Sequence, residues 1–231
     1  MFKICLAGIT VGIENKYTFV QELCRDYITD AAAEFCICAT DAEIEAERVA
    51  EYTDAPLGLL ESVAVYRKIA LELPKYDAFL FHAATVEVDG EAYAFAAKSG
   101  TGKSTHIRLW KKLLGDRVQI INGDKPIVRI ENKVPVVYGT PWAGKEGWQR
   151  NACAPLKAVC FLERAQENSI ESLPFANAVS RFMGQVLHIS DEEYTDKLLN
   201  LTIGMLKNMP VYLLRCNISE EAATLAYEKM K

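Results

Sequence analysis

No apolar run in this chain approaches the roughly 18 to 20 residues that a membrane-crossing helix needs, so no transmembrane helix is expected. The seven cysteines, Cys5, Cys24, Cys36, Cys38, Cys153, Cys160 and Cys216, contain no Cys-x-x-Cys pair, and only three histidines accompany them. Cys36 and Cys38 are too close in sequence, and too far from any histidine, for a zinc site. An odd count inside apolar, strand-like runs reads instead as buried, reduced, small apolar residues of a cytoplasmic protein. Positive charge is not in excess either: 26 Lys and Arg stand against 31 Asp and Glu, a net charge of −5, which argues against a broad nucleic-acid surface. The first residues, Met-Phe-Lys-Ile-Cys-Leu-Ala-Gly, are interrupted by polar positions too soon for a signal peptide. There is no internal repeat and no low-complexity segment. What is left is an ordinary globular composition, 50% hydrophobic and 25% charged with mean hydropathy +0.01, on 231 residues. That length buries a real core.

The stretch from Phe81 to Lys112 organises the rest. Leu80 to Val88 is apolar and strand-prone, Asp89-Gly90 is a hairpin signal, and Glu91 to Ala96 returns as a second strand. Ala97-Lys98-Ser99-Gly100-Thr101-Gly102-Lys103-Ser104-Thr105 follows. Ile107, Leu109, Trp110, Leu113 and Leu114 then recur at helical spacing, with Gly115 placed to stop the helix. A Gly-rich segment between a strand and a helix is the context of a phosphate-binding loop. Gly100 and Gly102 let successive N–H groups turn into one concavity, and the helix start adds its own N–H groups and positive dipole end. Lys103 supplies a charge for phosphate, and Ser104 a hydroxyl for Mg²⁺. The usual opening glycine is replaced by Ala97.

The flanks read as follows. Residues 2–13 are expected as a strand, 17–27 as a helix and 35–39 as a short buried strand. A capped helix is expected from Thr40-Asp41 to about Tyr52. Asp54-Ala55-Pro56 is the candidate boundary, dividing a small α/β segment, 1–55, from a core, 56–231. Leu59 to Leu73 is helical. After the loop helix come a strand over 117–121, a hairpin around Glu131-Asn132 and a strand over 155–162. Helices over 177–189 and 191–206, a strand over 210–216 and a terminal helix from Ser219 complete the chain. Hairpins on both sides of the loop predict a mixed sheet with helices beside it, α/β with some α+β character.

Asp124 follows Lys103 by 21 positions, room for one helix and one strand, so an adjacent strand delivers it to the phosphate end of the sheet. A carboxylate there holds Mg²⁺ or accepts a proton from an attacking hydroxyl; a solvated turn aspartate is the plain alternative. Lys125 either contacts phosphate or faces solvent. Gly139, Gly144 and Gly147 punctuate a loop with Trp142 and Trp148, suggesting a lid. Lys145 and Arg150 flank it and either offset charge on a transferring phosphoryl group or are simply solvated. His82 is an isolated histidine before the first hairpin.

Phe81 to Gly90 leading into Ser99-Gly100-Thr101-Gly102-Lys103-Ser104 resembles HPr kinase/phosphorylase and, more widely, the phosphoenolpyruvate carboxykinase group. Gly139 to Trp142 with Gly144-Lys145 and Arg150-Asn151 is similar to the smaller HPr-kinase-like serine kinases. The resemblance covers 77–164 by motif and 165–231 by pattern; residues 1–55 do not match that family's N-terminal domain. It implies a mixed-sheet phosphate-loop core and an ATP- and Mg²⁺-dependent kinase acting on a hydroxyl, that of serine first, of a protein or peptide. It implies a catalytic group of His82, Lys103, Asp124 and Arg150. Residues Ser99, Gly100, Thr101, Gly102, Lys103, Ser104 and Thr105 would hold nucleotide, and Ser104 and Asp124 the metal. No nucleic-acid or membrane partner is expected, and a homo-oligomer is left open. Two departures stand out. Gly123-Asp124 occupies the place of paired aspartates, and Lys98 that of an aspartate. The first leaves open a catalytically weak nucleotide-binding accessory protein of a peptide-modification pathway. A small-molecule kinase or carboxykinase is the third reading.

Overall fold

A computed structural model describes residues 1–48 and 54–231. The chain opens with a hairpin, β1 (Phe2–Leu6) and β2 (Ile9–Glu14), where a single strand was expected. The turn is Ala7-Gly8, both with positive φ, at 51° and 73°, which suits the twist of a two-residue hairpin. Then come α1 (Thr18–Leu23), β3 (Phe35–Cys38), parallel to β2, and α2 (Asp41–Ala46). Thr40 and Glu43 form a reciprocal capping box at the start of α2. The expected end of that helix near Tyr52 lies outside the described residues. Helix α3 (Leu57–Glu72) begins immediately after Pro56, which cannot continue a helix backwards but suits its entry.

The larger sheet has nine strands among the described residues. They are β4 (Ala78–Leu80), β5 (Ala83–Val88), β6 (Glu91–Ala96), β7 (Val118–Asn122), β8 (Ile127–Glu131), β9 (Val134–Tyr138), β10 (Cys153–Arg164), β11 (Ser169–Ser172) and β12 (Val211–Cys216). The main path runs β4-β8-β9-β10-β6-β5-β7, with β12 beside β10 and β11 beside β12. The β5–β6 and β5–β7 pairs are antiparallel, while β10 runs parallel to β6 and β12. This is the mixed α/β architecture expected from the hairpins. Four helices cover the sheet: α4 (Lys103–Leu114), α5 (Phe175–Met183), α6 (Glu192–Leu206) and α7 (Glu220–Met230).

Strand alternation assigns the two faces. Ala92, Ala94 and Ala96 of β6 pack with Phe182 of α5 and Leu198 of α6. Tyr93 and Phe95 pack with Ile107 and Trp110 of α4 and Ala226 of α7. In β10 the parity changes: Ala154 and Leu156 share a face with Val159 and Phe161. A register shift between Leu156 and Ala158 supplies the extra residue that allows this. A third core joins Ile4, Val11 and Ile37 of the small sheet to Leu60 and Ile69 of α3 and to Ile127 and Trp142, so it crosses the loop at 54–56.

Two readings need correction. The apolar run Leu80–Val88 is two strands: β4 pairs with β8, β5 with β6 and β7, and the break falls at Phe81-His82. The cysteines are all free, but Cys36, Cys38 and Cys153 are exposed, because β3 turns that side of its pleat outward and Cys153 opens β10.

Candidate active site

Three strand ends meet at one edge of the sheet. In the antiparallel β5–β6 pair Ala83 faces Ala96, which brings His82, just before β5, level with Ala97, just after β6. In the β5–β7 pair Thr85 faces Asn122, so the chain leaving β7 passes Asp124 beside the same point. Sheet register alone therefore gathers His82, the loop after Ala97, and Asp124.

The loop itself has the geometry its glycines permit. Gly100 and Gly102 have φ of +74° and +125°, and a Cβ added at either would meet nothing within 4 Å. Backbone conformation, not crowding, makes glycine the fitting residue there. Gly102 is the N-cap of α4, no side chain caps the helix, and no acidic residue occupies its first turn. The first N–H groups of α4 thus lack the side-chain partners that usually satisfy them. From behind, Arg164 at the end of β10 holds the loop: its Nη2 donates to the Gly100 carbonyl and its Nε to that of Thr101, at 3.1 Å. A guanidinium drawing carbonyls to one side leaves N–H groups for the other.

Lys103, the first residue of α4, is buried; its Nζ donates to the Ala97 carbonyl at 3.0 Å and lies 3.1 Å from His82 Nε2. The same Nε2 lies 3.1 Å from Asp124 Oδ1. One ring nitrogen cannot serve both neighbours at once. Protonated, Nε2 donates to Asp124; bare, it accepts from Lys103. The position of a single proton decides which contact is a hydrogen bond. Burial pushes the Lys103 ammonium below its usual pKa, against the opposing charge of Asp124. Burial alone would raise the Asp124 carboxyl. The His82 hydrogen bond and the charges of His82, Lys125 and Lys103 outweigh it and leave the group below its usual value, hence ionised.

Asp124 is held from several sides. Asn122, fully buried, accepts the backbone N–H groups of Asp124 (2.8 Å) and Lys125 (2.7 Å) through Oδ1. Its Nδ2 donates to the Thr140 carbonyl and hydroxyl at 3.0 and 3.1 Å. Thr140 Oγ1 and Tyr66 Oη both donate to the Lys125 carbonyl, at 2.8 and 2.7 Å. The Gly123 N–H donates to the Trp148 carbonyl at 2.8 Å, which draws the Gly-rich loop over the aspartate.

The sequence-derived candidates divide accordingly. His82, Lys103 and Asp124 come together; Ser99 to Thr105 form the loop and first helical turn beside them, with Ser104 the second residue of α4. Arg150 is not brought to this group. Its Nη2 pairs with Glu87 on β5, five positions beyond His82; the backbone at 149–150 runs along the end of β7, and the side chain reaches the far part of β5. Lys145 is exposed. His106, in the first turns of α4, is buried and accepts from Trp110 Nε1 at 3.1 Å, and burial lowers its pKa to about 4. Asn122, Thr140, Tyr66 and Arg164 were not marked by the sequence as part of a site. Asn122 carried a signal in Asn-Gly-Asp, where it reads as a turn residue, and Thr140 only as part of the Gly139–Trp142 motif.

Comparison with known proteins gives two results. The family described as "ScmC: SynChlorMet cassette protein ScmC" matches residues 48–222. Among solved structures, the Hpr(Ser) kinase/phosphatase from Coxiella burnetii is similar at 11% identity and a TM-score of 0.40, over 65% of this chain and 95% of that one. No curated protein matches.

Proposed function

The chain belongs to the family of the SynChlorMet cassette protein ScmC, whose matched segment spans every residue of the site, and from that premise we propose an ATP-dependent phosphotransferase acting on a hydroxyl of a peptide or protein. The observation that carries the reading is the contact chain Lys103 Nζ, His82 Nε2, Asp124 Oδ1, each step 3.1 Å, beside an uncapped helix N-terminus entered through two positive-φ glycines. A polyanion fits the loop amides and Lys103. An ionised, half-buried carboxylate faces it.

Mg²⁺ fits the donors present. It takes hard oxygen ligands, commonly one or two carboxylates together with substrate phosphates and water. Asp124 and the Ser104 hydroxyl are the residues that would hold it. When bound, the ion neutralises charge on the β- and γ-phosphate oxygens.

Asp124 orients the acceptor O–H in line with the γ-phosphorus. As the new O–P bond forms, the bond from the γ-phosphorus to the β-bridging oxygen breaks and ADP leaves. The acceptor proton passes to the Asp124 carboxylate. A carboxylate of depressed pKa is a weak base, which suits a loose transition state in which the proton moves late. His82 keeps that carboxylate in place when its Nε2 carries the proton, and accepts from Lys103 when that nitrogen is bare. Fixed charges of this kind supply several kcal/mol of barrier lowering.

The test is Asp124→Asn, with ATP affinity measured beside transfer to serine-containing peptides. Transfer is expected to fall at least about 100-fold with nucleotide still bound; transfer near the wild-type rate would remove the base assignment. One observation favours a second reading, a nucleotide-binding accessory module: Gly123 precedes Asp124, so a single carboxylate stands at this strand end. Tight ATP binding by the wild type, without label transfer to any peptide, supports that reading instead.

A further inference from the structure

We propose that the pocket on the far side of His82 seats an aromatic side chain of the peptide that carries the acceptor hydroxyl, an inference that rests on the phosphotransfer reading above. The cavity holds about 230 Å³, and His82 and Lys125 both stand in its wall. Those two residues bracket Asp124, one through its ring and the other through the next peptide unit. A group in the pocket is therefore within about one residue of the hydroxyl that Asp124 would orient.

The lining defines the occupant. Tyr66 and Trp142 stack with ring centroids 4.1 Å apart and planes 6° off parallel. Their polar ends are already used. Tyr66 Oη donates to the Lys125 carbonyl at 2.7 Å and Trp142 Nε1 to the Ser62 carbonyl at 3.0 Å. The rings thus offer the pocket only apolar surface, and Leu80, Val186 and Leu187 continue it. Gln185 also stands in the wall, and its side-chain oxygen is buried with no hydrogen-bond partner among the described residues. Such a group is normally satisfied, and leaving it unmade is unfavourable. It asks for an N–H or O–H from outside. Lys125 adds a cation, which favours the face of an electron-rich ring.

Size narrows the choice further. Sites for whole small molecules run to about 300–1,000 Å³; this one is smaller and suits one side chain, the rest of the peptide lying outside. A flat apolar body with one donor describes indole or phenol. Gln185 also ties the pocket to the site by its backbone, since its carbonyl accepts the His82 N–H at 2.7 Å. Filling the pocket bears directly on the segment that carries His82.

Two measurements separate this inference from the reading beneath it. The first titrates N-acetyl-tryptophanamide, N-acetyl-tyrosinamide and N-acetyl-alaninamide into the full chain and follows the methyl NMR signals of Val63 and Leu187. The aromatic probes should shift both signals and the alanine probe neither, and Gln185→Leu should weaken aromatic binding about tenfold. The second compares serine peptides with an aromatic residue or alanine beside the serine. Aromatic peptides should be preferred at least about tenfold in kcat/KM, and Leu187→Trp, which occupies the cavity, should erase that preference. Equal behaviour of aromatic and alanine probes, or a preference that survives Leu187→Trp, overturns the pocket assignment even if phosphate is transferred. Aromatic binding at Val63 and Leu187 with no transfer to any peptide keeps the pocket and removes the phosphotransfer reading.

Discussion

The α-carbon of Gly144 packs so closely on Asp124 that a Cβ built there would lie 2.9 Å from the aspartate Cβ and 3.2 Å from its Cγ. Gly144 also has φ of +73°, a region that side chains adopt only under strain. Gly144→Ala therefore has two ways to relieve itself, and both move either the loop or the carboxylate. It is expected to lower stability by about 1–2 kcal/mol. The larger effect should be on transfer, at least about tenfold, since small misplacements at a reacting centre are amplified. The Gly-rich loop that would take phosphate is on another strand end, so ATP affinity should change less than about threefold. Calorimetric ATP titration beside peptide phosphorylation checks this; parallel losses in both would show that Gly144 shapes the whole site and not Asp124 in particular.

Arg150 illustrates where sequence reasoning stops. A cation after a Gly-rich loop is a reasonable partner for phosphate, and nothing local reveals that Glu87, 63 positions earlier, accepts its Nη2. With the Arg150 and Glu87 side chains 39% and 27% exposed, Arg150→Ala should cost about 1 kcal/mol of stability and leave ATP affinity within about twofold. A double-mutant cycle with Glu87→Gln should give a coupling near 0.5–1 kcal/mol in chemical denaturation. A tenfold loss of ATP affinity in Arg150→Ala would return the arginine to the nucleotide.

The Gly-rich loop between β6 and α4, the Asp89-Gly90 hairpin and the helix ending at Gly115 were legible because their causes are local. Positive-φ glycines and apolar spacing at 3.6 residues lie within a few positions of one another. The placement of Asp124 at a strand end was also legible, since one helix and one strand fill the interval from Lys103. What was hidden depends on pairing across the chain. Leu80–Val88 reads as one strand, yet β8 captures its first part and β6 its second. The break sets His82 at the site, but only the sheet order reveals it. Ala7-Gly8 turns a hairpin where alanine masks the usual turn signal. The buttresses Tyr66, Thr140 and Gln185 reach the site from segments at least 15 positions from the backbone groups they support; helical spacing marks Tyr66 as a core position of its helix, and no periodicity marks the other two.

His106 makes stability depend on pH in a defined window. It is 3% exposed, accepts from Trp110 Nε1 and has its pKa lowered by burial to about 4. An unfolded histidine titrates near 6.5. Between these values the unfolded chain binds the extra proton, so unfolding is favoured as pH falls from about 6.5 to about 4. The full effect is roughly 3 kcal/mol. His106→Gln keeps an acceptor for Trp110 and removes the titration. Thermal melts from pH 4.5 to 7.5 should fall steeply with acid in the wild type and less so in the variant; equal slopes would mean other groups control the acid limb.

Lys103 is held in place at a cost that an anion should relieve. It is 9% exposed, burial depresses its pKa, and among the described residues no carboxylate contacts its Nζ directly; its neighbours are the Ala97 carbonyl and His82 Nε2. The unfolded lysine, fully hydrated, keeps its proton to higher pH. Below the folded pKa the charged form therefore disfavours the fold. Lys103→Met removes the charge at similar length and should leave the ligand-free melting temperature equal or higher, though the Ala97 carbonyl loses a donor. The same change should abolish the rise in melting temperature produced by saturating ATP, because that rise reports differential binding to the folded state. A marked loss of ligand-free stability would make Lys103 a structural tie to Ala97, and an undiminished ATP shift would remove it from the phosphate site.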